Sequence, residues 1–174
     1  MAEPSLRSDC ARCAALCCVA FAFDRRSGGF PIDKPNGVPC PQLDAAANRC
    51  STYEDRASLG FHGCITYECN GAGQRVTQEV FGGRSWRDEP DILPDMTRAF
   101  VAMVRVHELL VLLGQAEAMA LEASEQETLA RMRAELSRDG DWSTGTLARF
   151  ESSGTEQRVR AFLASLRHHF GLAG

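Results

Sequence analysis

The sequence predicts a mainly α-helical protein: an irregular, cysteine-rich N-terminal module packed on a small C-terminal helical bundle. Three observations lead there. All eight cysteines fall within the first 69 residues. Glycine and proline crowd the stretch 24–41, which contains Gly28, Gly29, Pro31, Pro35, Gly37, Pro39 and Pro41. From residue 95 onward apolar side chains recur at helical spacing. With 174 residues and 44% hydrophobic side chains, the chain suits one domain, or one with a small appendage, and can bury an ordinary core. Three regions follow: a cysteine-rich module over 1–70, a connector over 71–94 and a helical bundle region over 95–174.

Each element has a local reason. In the stretch 5–21, Cys10, Cys13 and Cys17 stand at i, i+3 and i+7, which on a helix is one face that Leu6 could share. Cys18 then lies about 100° round. Residues 24–41 are a loop, because that density of glycine and proline excludes a long regular element. Residues 42–56 can hold a turn and a short helix. Residues 75–81 alternate, with Val76, Gln78 and Val80 on one side, which is strand periodicity. The segment Gly82-Gly83-Arg84-Ser85-Trp86 turns the chain, and Gly71-Ala72-Gly73 is another turn.

Pro94 and Asp95 suit the first turn of a helix running to about Leu113 and stopping at Gly114. Its apolar face is Met96, Phe100, Met103, Val104, His107, Leu110 and Val111. A second helix over 117–138 buries Leu121, Leu129, Met132 and Leu136, with Gly140 beyond it. A third is expected over 144–151. The last starts from a capping box, Ser153 to Glu156, and lines up Val159, Phe162, Leu163, Leu166 and Phe170.

Charge and hydropathy exclude some partners. The net charge of -4 and pI near 5.6 leave no basic surplus to neutralise phosphates, so no nucleic-acid partner is expected. Lys34 is the single lysine. The start of the chain has no apolar core of a targeting segment. The apolar stretch 99–113 is shorter than a membrane span and carries Arg105, His107 and Glu108, so it is expected to be a buried helix. The expectation is a cytoplasmic protein with no membrane contact.

In a reducing compartment a dense cysteine set more often binds metal than forms disulfides. Zinc takes four thiolates at about 2.3 Å, which puts neighbouring sulfurs roughly 3.8 Å apart. Cysteines one helical turn apart have Cβ atoms about 5–6 Å apart and can share a metal. An iron–sulfur cluster uses the same four thiolates. The adjacent pair Cys17-Cys18 fits two explanations: two metal centres, or one thiolate bridging two metals. Eight thiolates are the complement of two four-cysteine sites, or of one closed site and one looser one.

The string Cys10-x2-Cys13-x3-Cys17-Cys18, then Cys40-Pro41-Gln42-Leu43-Asp44, then Arg49-Cys50-Ser51-Thr52-Tyr53-Glu54-Asp55-Arg56, resembles the YkgJ or CxxCxxCC family of small bacterial zinc- or iron-chelating domains. The resemblance spans roughly residues 10–69. It implies chelation by all eight cysteines: Cys10, Cys13, Cys17, Cys18, Cys40, Cys50, Cys64 and Cys69. It implies no defined reaction. Similar modules stand in flagellin lysine N-methylases and ahead of some actinobacterial pentapeptide-repeat proteins. This chain departs from the family string at Ala57, where the family has proline, and in the longer insert before Cys64.

The expected cofactor is therefore Zn2+, with a [4Fe-4S] or other iron–sulfur cluster as the alternative. The expected role is metal binding or metal handling with a possible protein partner; the alternative is an iron–sulfur accessory protein serving an enzyme such as a methyltransferase. No serine elbow, phosphate loop or zinc-protease motif is present, so no residue is assigned to catalysis. His62 is expected to be a loop histidine, His107 a core histidine, and His168-His169 a solvated helix end. Tyr53 and Arg56 either support the thiols or pack against each other.

Overall fold

The computed structural model describes residues 4–44, 47, 49–138 and 141–170, with Phe170 by its backbone alone. It is mainly α-helical. Helix α4 (Leu93–Glu117) organises it, packing against α1 (Cys17–Ala20), α3 (Ala72–Arg75), α5 (Ala123–Ser137), α6 (Thr144–Ser152) and α7 (Thr155–Ser165). Pro94 lies in the first turn of α4, where its missing N–H costs nothing. Met96, Phe100, Met103, Leu109 and Leu113 are buried to the last atom or nearly so. Each such side chain contributes about 1.5–3 kcal/mol.

The helix does not stop at Gly114 as expected but continues to Glu117. Leu113 and Ala116 flank the glycine and are both buried. Their burial outweighs the ~1 kcal/mol that a mid-helix glycine costs. The helical stretch Pro90–Glu117 is also longer than the sequence suggested: by length and composition it could cross a membrane, but 61% of its most apolar window is buried inside the protein. It is the core helix of the bundle.

Because α4 takes Glu117, the second bundle helix starts six residues later than expected, at Ala123. A reciprocal capping box between Glu122 and Glu125 fixes that start. The stop expected at Gly140 lies outside the described residues. Ser143 caps α6. Helix α7 corrects the expected Ser153–Glu156 box: Gly154, at φ +70°, is its N-cap. The Ser153 hydroxyl accepts from the Thr155 N–H, and Glu156 pairs with Arg160.

Two predictions fail in the N-terminal half. The stretch 5–21 is not one helix. A 3-10 turn, Cys10–Arg12, is capped by the Asp9 carboxylate. Cys13 then takes an extended conformation and Ala15 a left-handed one at φ +54°. Cys10, Cys13 and Cys17 therefore share no helical face. The expected strand over 75–81 is α3 running on into a π-type turn, Val76–Val80. Helical spacing is what lets Arg75 pair with Glu79 and the Thr77 hydroxyl donate to the Gly73 carbonyl. Among the described residues β pairing is limited to two isolated antiparallel bridges, Phe23 with Lys34 and Leu43 with Cys50.

The main apolar core joins Ala14, Leu16 and Ala20 to Ala72, Val76 and the helices from α4 on. A second, small core holds Phe23, Cys40 and Phe61. A polar network ties the first core to the cysteine segment. His107 on α4 is fully buried, and its Nδ1 donates to the Asn70 carbonyl at 2.5 Å. Its Nε2 accepts from Arg75 at 3.4 Å. It is thus the satisfied core histidine that was expected.

Burial, outweighing the Asn70 hydrogen bond, pushes its pKa down to about 4, and Arg75 adds to the shift. Above pH 6.5 the imidazole is neutral in folded and unfolded chains alike. Between 6.5 and about 4 the unfolded chain binds a proton that the folded one refuses. Stability is therefore lost as pH falls through that window, by about 3 kcal/mol in all. The NMR titration of His107 is expected to show a neutral Nδ1–H ring down to about pH 4; a midpoint near 6.5 would refute the burial argument.

Candidate metal centre

The thiols are delivered by short, turn-rich segments. Cys10 opens the 3-10 turn that packs on α3. Cys17 and Cys18 open α1. Cys40 is reached by the loop, held to α1 by Gly37 N–H to Val19 C=O and Cys40 N–H to Cys18 C=O, both 2.9 Å. Cys50 is bridged to Leu43. Cys64 lies in α2 (His62–Thr66), which docks through Gly63 N–H to Gly29 C=O at 2.8 Å. Cys69 precedes the Gly71 turn into α3, and its sulfur sits 2.9 Å from the Ser8 hydroxyl.

None of the eight forms a disulfide. They divide between the two cores. Cys13, Cys17 and Cys69 pack against the main core. Cys40 is buried in the small core, and Cys18 and Cys64 pack against it. The two groups meet at Cys17 and Cys18, whose sulfurs are 3.9 Å apart, close to the spacing in a zinc tetrathiolate. The remaining thiols are spread more widely than a closed site. Among the described residues the group of three ligand-type atoms within 4.8 Å of one another is Glu125, His168 and His169.

Close packing constrains the sulfurs. A Cβ on Gly73 would stand 2.6 Å from the Cys13 sulfur, so only glycine leaves room for that thiol. A Cβ on Gly63 would strike the Phe30 ring beside Cys64. Arg56 lies 3.6 Å over the Tyr53 ring and donates to the Tyr53 and Cys64 carbonyls. Arg56 thus packs on Tyr53 and holds the Cys64 backbone. Lys34, 4% exposed, donates from Nζ to the Val19, Pro35 and Val38 carbonyls.

The electrostatics follow the same division. Burial pushes Cys13 up to about 11, with Cys69 and Cys10 adding to the rise. Burial likewise pushes Cys64 up to about 11, with Cys18, Cys40 and Cys50 adding to it. Burial raises Cys10 and Cys40 too. The hydrogen bond between Cys17 and Cys18 raises Cys17 and lowers Cys18; Lys34, Arg56 and Arg87 lower Cys18 further. A metal taken up here would displace protons from the other shifted thiols.

His62 is exposed on the first turn of α2 rather than in a loop. The His168-His169 pair is only half solvated. His169 Nε2 lies 2.8 Å from Glu125, and His168 turns its Nδ1 to the Ser165 carbonyl. Sequence reading missed this group, because Glu125 stands more than forty residues away in the chain. The cysteines and the His/Glu group are both compatible with metal binding.

No family model matches the chain. No solved structure matches it either. The chain is similar to the uncharacterized protein YybG of Bacillus subtilis (strain 168), 40% identical over 111 residues, which are 64% of this chain and 39% of the relative. The chain thus spans well under half of that relative's length.

Proposed function

We propose that this is a metal-binding protein whose eight cysteines chelate zinc, acting as a structural or metal-handling module in the cytoplasm. The observation that carries the reading is the poverty of everything else in the cysteine region. Among the described residues its own small core has three buried side chains, Phe23, Cys40 and Phe61, besides the short stretch Ala14, Leu16 and Ala20 that it lends to the main core. Its helices α1 and α2 have four and five residues. Ordering a backbone costs about 1–2 kcal/mol per residue, and so little burial cannot offset that over sixty residues. Small modules of this kind are held by metal or disulfides, and these cysteines form no disulfide.

The resemblance to the YkgJ or CxxCxxCC domains supports the same reading. An iron–sulfur cluster on the same thiolates is the alternative, with a role beside an enzyme such as a methyltransferase. Elemental analysis of anaerobically purified full-length protein decides. Stoichiometric zinc in a colourless protein, reduced in the Cys10→Ser and Cys50→Ser variants, is the expected result. Iron with a brown colour would establish the alternative. Absence of both metals would end the reading.

A further inference from the structure

We infer that the eight thiols form two separate four-thiolate metal sites, Cys10–Cys13–Cys17–Cys69 and Cys18–Cys40–Cys50–Cys64, split between the adjacent residues Cys17 and Cys18. The inference rests on the metal-binding reading and assigns the ligands within it.

Packing carries the assignment. Cys13, Cys17 and Cys69 belong to the main core, and Cys18, Cys40 and Cys64 to the small one. The other two thiols are placed by their neighbours. Cys10 sits on the turn that docks on α3, one turn before Cys13, whose N–H reaches the Cys10 carbonyl at 3.4 Å. Cys50 is bridged to Leu43, which packs on the small core and whose N–H reaches the Cys40 carbonyl at 3.0 Å.

Successive residues of a helix point about 100° apart. At the start of α1 that rotation sends Cys17 toward one core and Cys18 toward the other. The CC pair thus stands at the boundary, its sulfurs 3.9 Å apart and each assigned to the site on its own core. The first quartet ties the segment 10–17 to Cys69 and the second joins Cys18 to three later segments, so each site staples a different part of the module.

The surroundings also differ. Lys34 and Arg56 stand beside the second quartet, where positive charge offsets the double negative charge of a divalent ion with four thiolates. Beside the first are Asp9 and Glu68, whose carboxylate takes the Ser8 hydroxyl that touches Cys69. The second site should keep its metal longer when a chelator competes.

Paired variants test the assignment on the full-length protein, reconstituted anaerobically with zinc and counted per chain. The wild type should hold two zinc ions. Cys13→Ser/Cys69→Ser, both in one quartet, should retain one. Cys40→Ser/Cys64→Ser should also retain one. Cys13→Ser/Cys40→Ser, one from each, should retain none. If a same-quartet pair loses both ions, or all three pairs retain equal zinc, the division is wrong and the thiols form one shared cluster. A wild type without zinc or iron would instead refute metal binding itself.

Gly73→Ala gives a check that keeps every thiol. It should displace Cys13 and lower cobalt(II)-thiolate absorption to about half that of the wild type. An unchanged cobalt spectrum would remove Cys13 from the ligands.

Discussion

Removing metal from the protein under anaerobic, reducing conditions is expected to unfold residues 5–70 while α4 to α7 stay largely helical. Structural zinc in small modules contributes on the order of 10–16 kcal/mol of apparent binding free energy at neutral pH, and that is folding free energy when no site preexists. The cysteine region has little to replace it. Its backbone hydrogen bonds are mostly isolated turns and bridges, and its own core is three side chains deep. The bundle has its own apolar contacts from Met96 to Leu166. Hydrogen exchange after titration of the thiols with a mercurial reagent and a chelator reads this out. Amides over 16–20, 37–43 and 61–64 should lose protection by several orders of magnitude, whereas those of α4 should lose much less. Equal protection before and after removal would show that the module stands without metal.

Arg75→Ala should be among the most damaging single substitutions outside the thiols, costing about 3 kcal/mol or more. The side chain is 4% exposed and joins three elements. Its Nε pairs with Glu79 at 3.0 Å. Its Nη2 donates to the Ser137 carbonyl at the end of α5 and to the Arg138 carbonyl at 3.3 Å. Its Nη1 reaches His107 at 3.4 Å.

Truncation leaves buried acceptors without a donor and a void between α3, α4 and α5. Because Asn70 follows Cys69 and receives the His107 hydrogen bond, the damage should spread to the Cys69 segment. Urea unfolding of metal-loaded protein checks it. Arg75→Lys should recover only part, since an ammonium lacks the planar fork that serves four partners at once. A loss below about 1 kcal/mol for Arg75→Ala would show that the network is not structural.

The bundle was legible because amphipathic periodicity is a local signal. The faces of α4 and α7 were read correctly from Met96, Phe100, Met103 and Val159, which are buried as expected. Their ends were not. Gly114 and Ser153 carry ordinary stop and cap chemistry, and tertiary burial of Ala116 and the left-handed turn at Gly154 overrode it.

The misread strand over 75–81 has a similar cause. Alternating Val76, Gln78 and Val80 satisfy strand periodicity, but a strand needs a partner. The ion pair of Arg75 with Glu79 and the buried positions of Arg75 and Val76 favour a helical turn. His169 and Glu125 meet only because the fold brings the segment around His169 onto the first turn of α5, which no local pattern records.

By itself the sequence determined the two-part chemistry of this protein: eight thiols in an irregular segment and apolar helical stripes after it. It also determined that Cys17 and Cys18 stand side by side at one turn of backbone, about 100° apart round a helix. Only the tertiary structure decided which sulfurs become neighbours. The break at Cys13 and Ala15 took Cys10, Cys13 and Cys17 off a common helical face. The segments carrying Cys40, Cys50 and Cys64 closed on one core, and Cys69 on the other. Residue spacing fixes a direction within one turn of backbone. Loop closure over tens of residues is set by what the loop buries and where its N–H and C=O groups find partners, and that is a property of the folded whole.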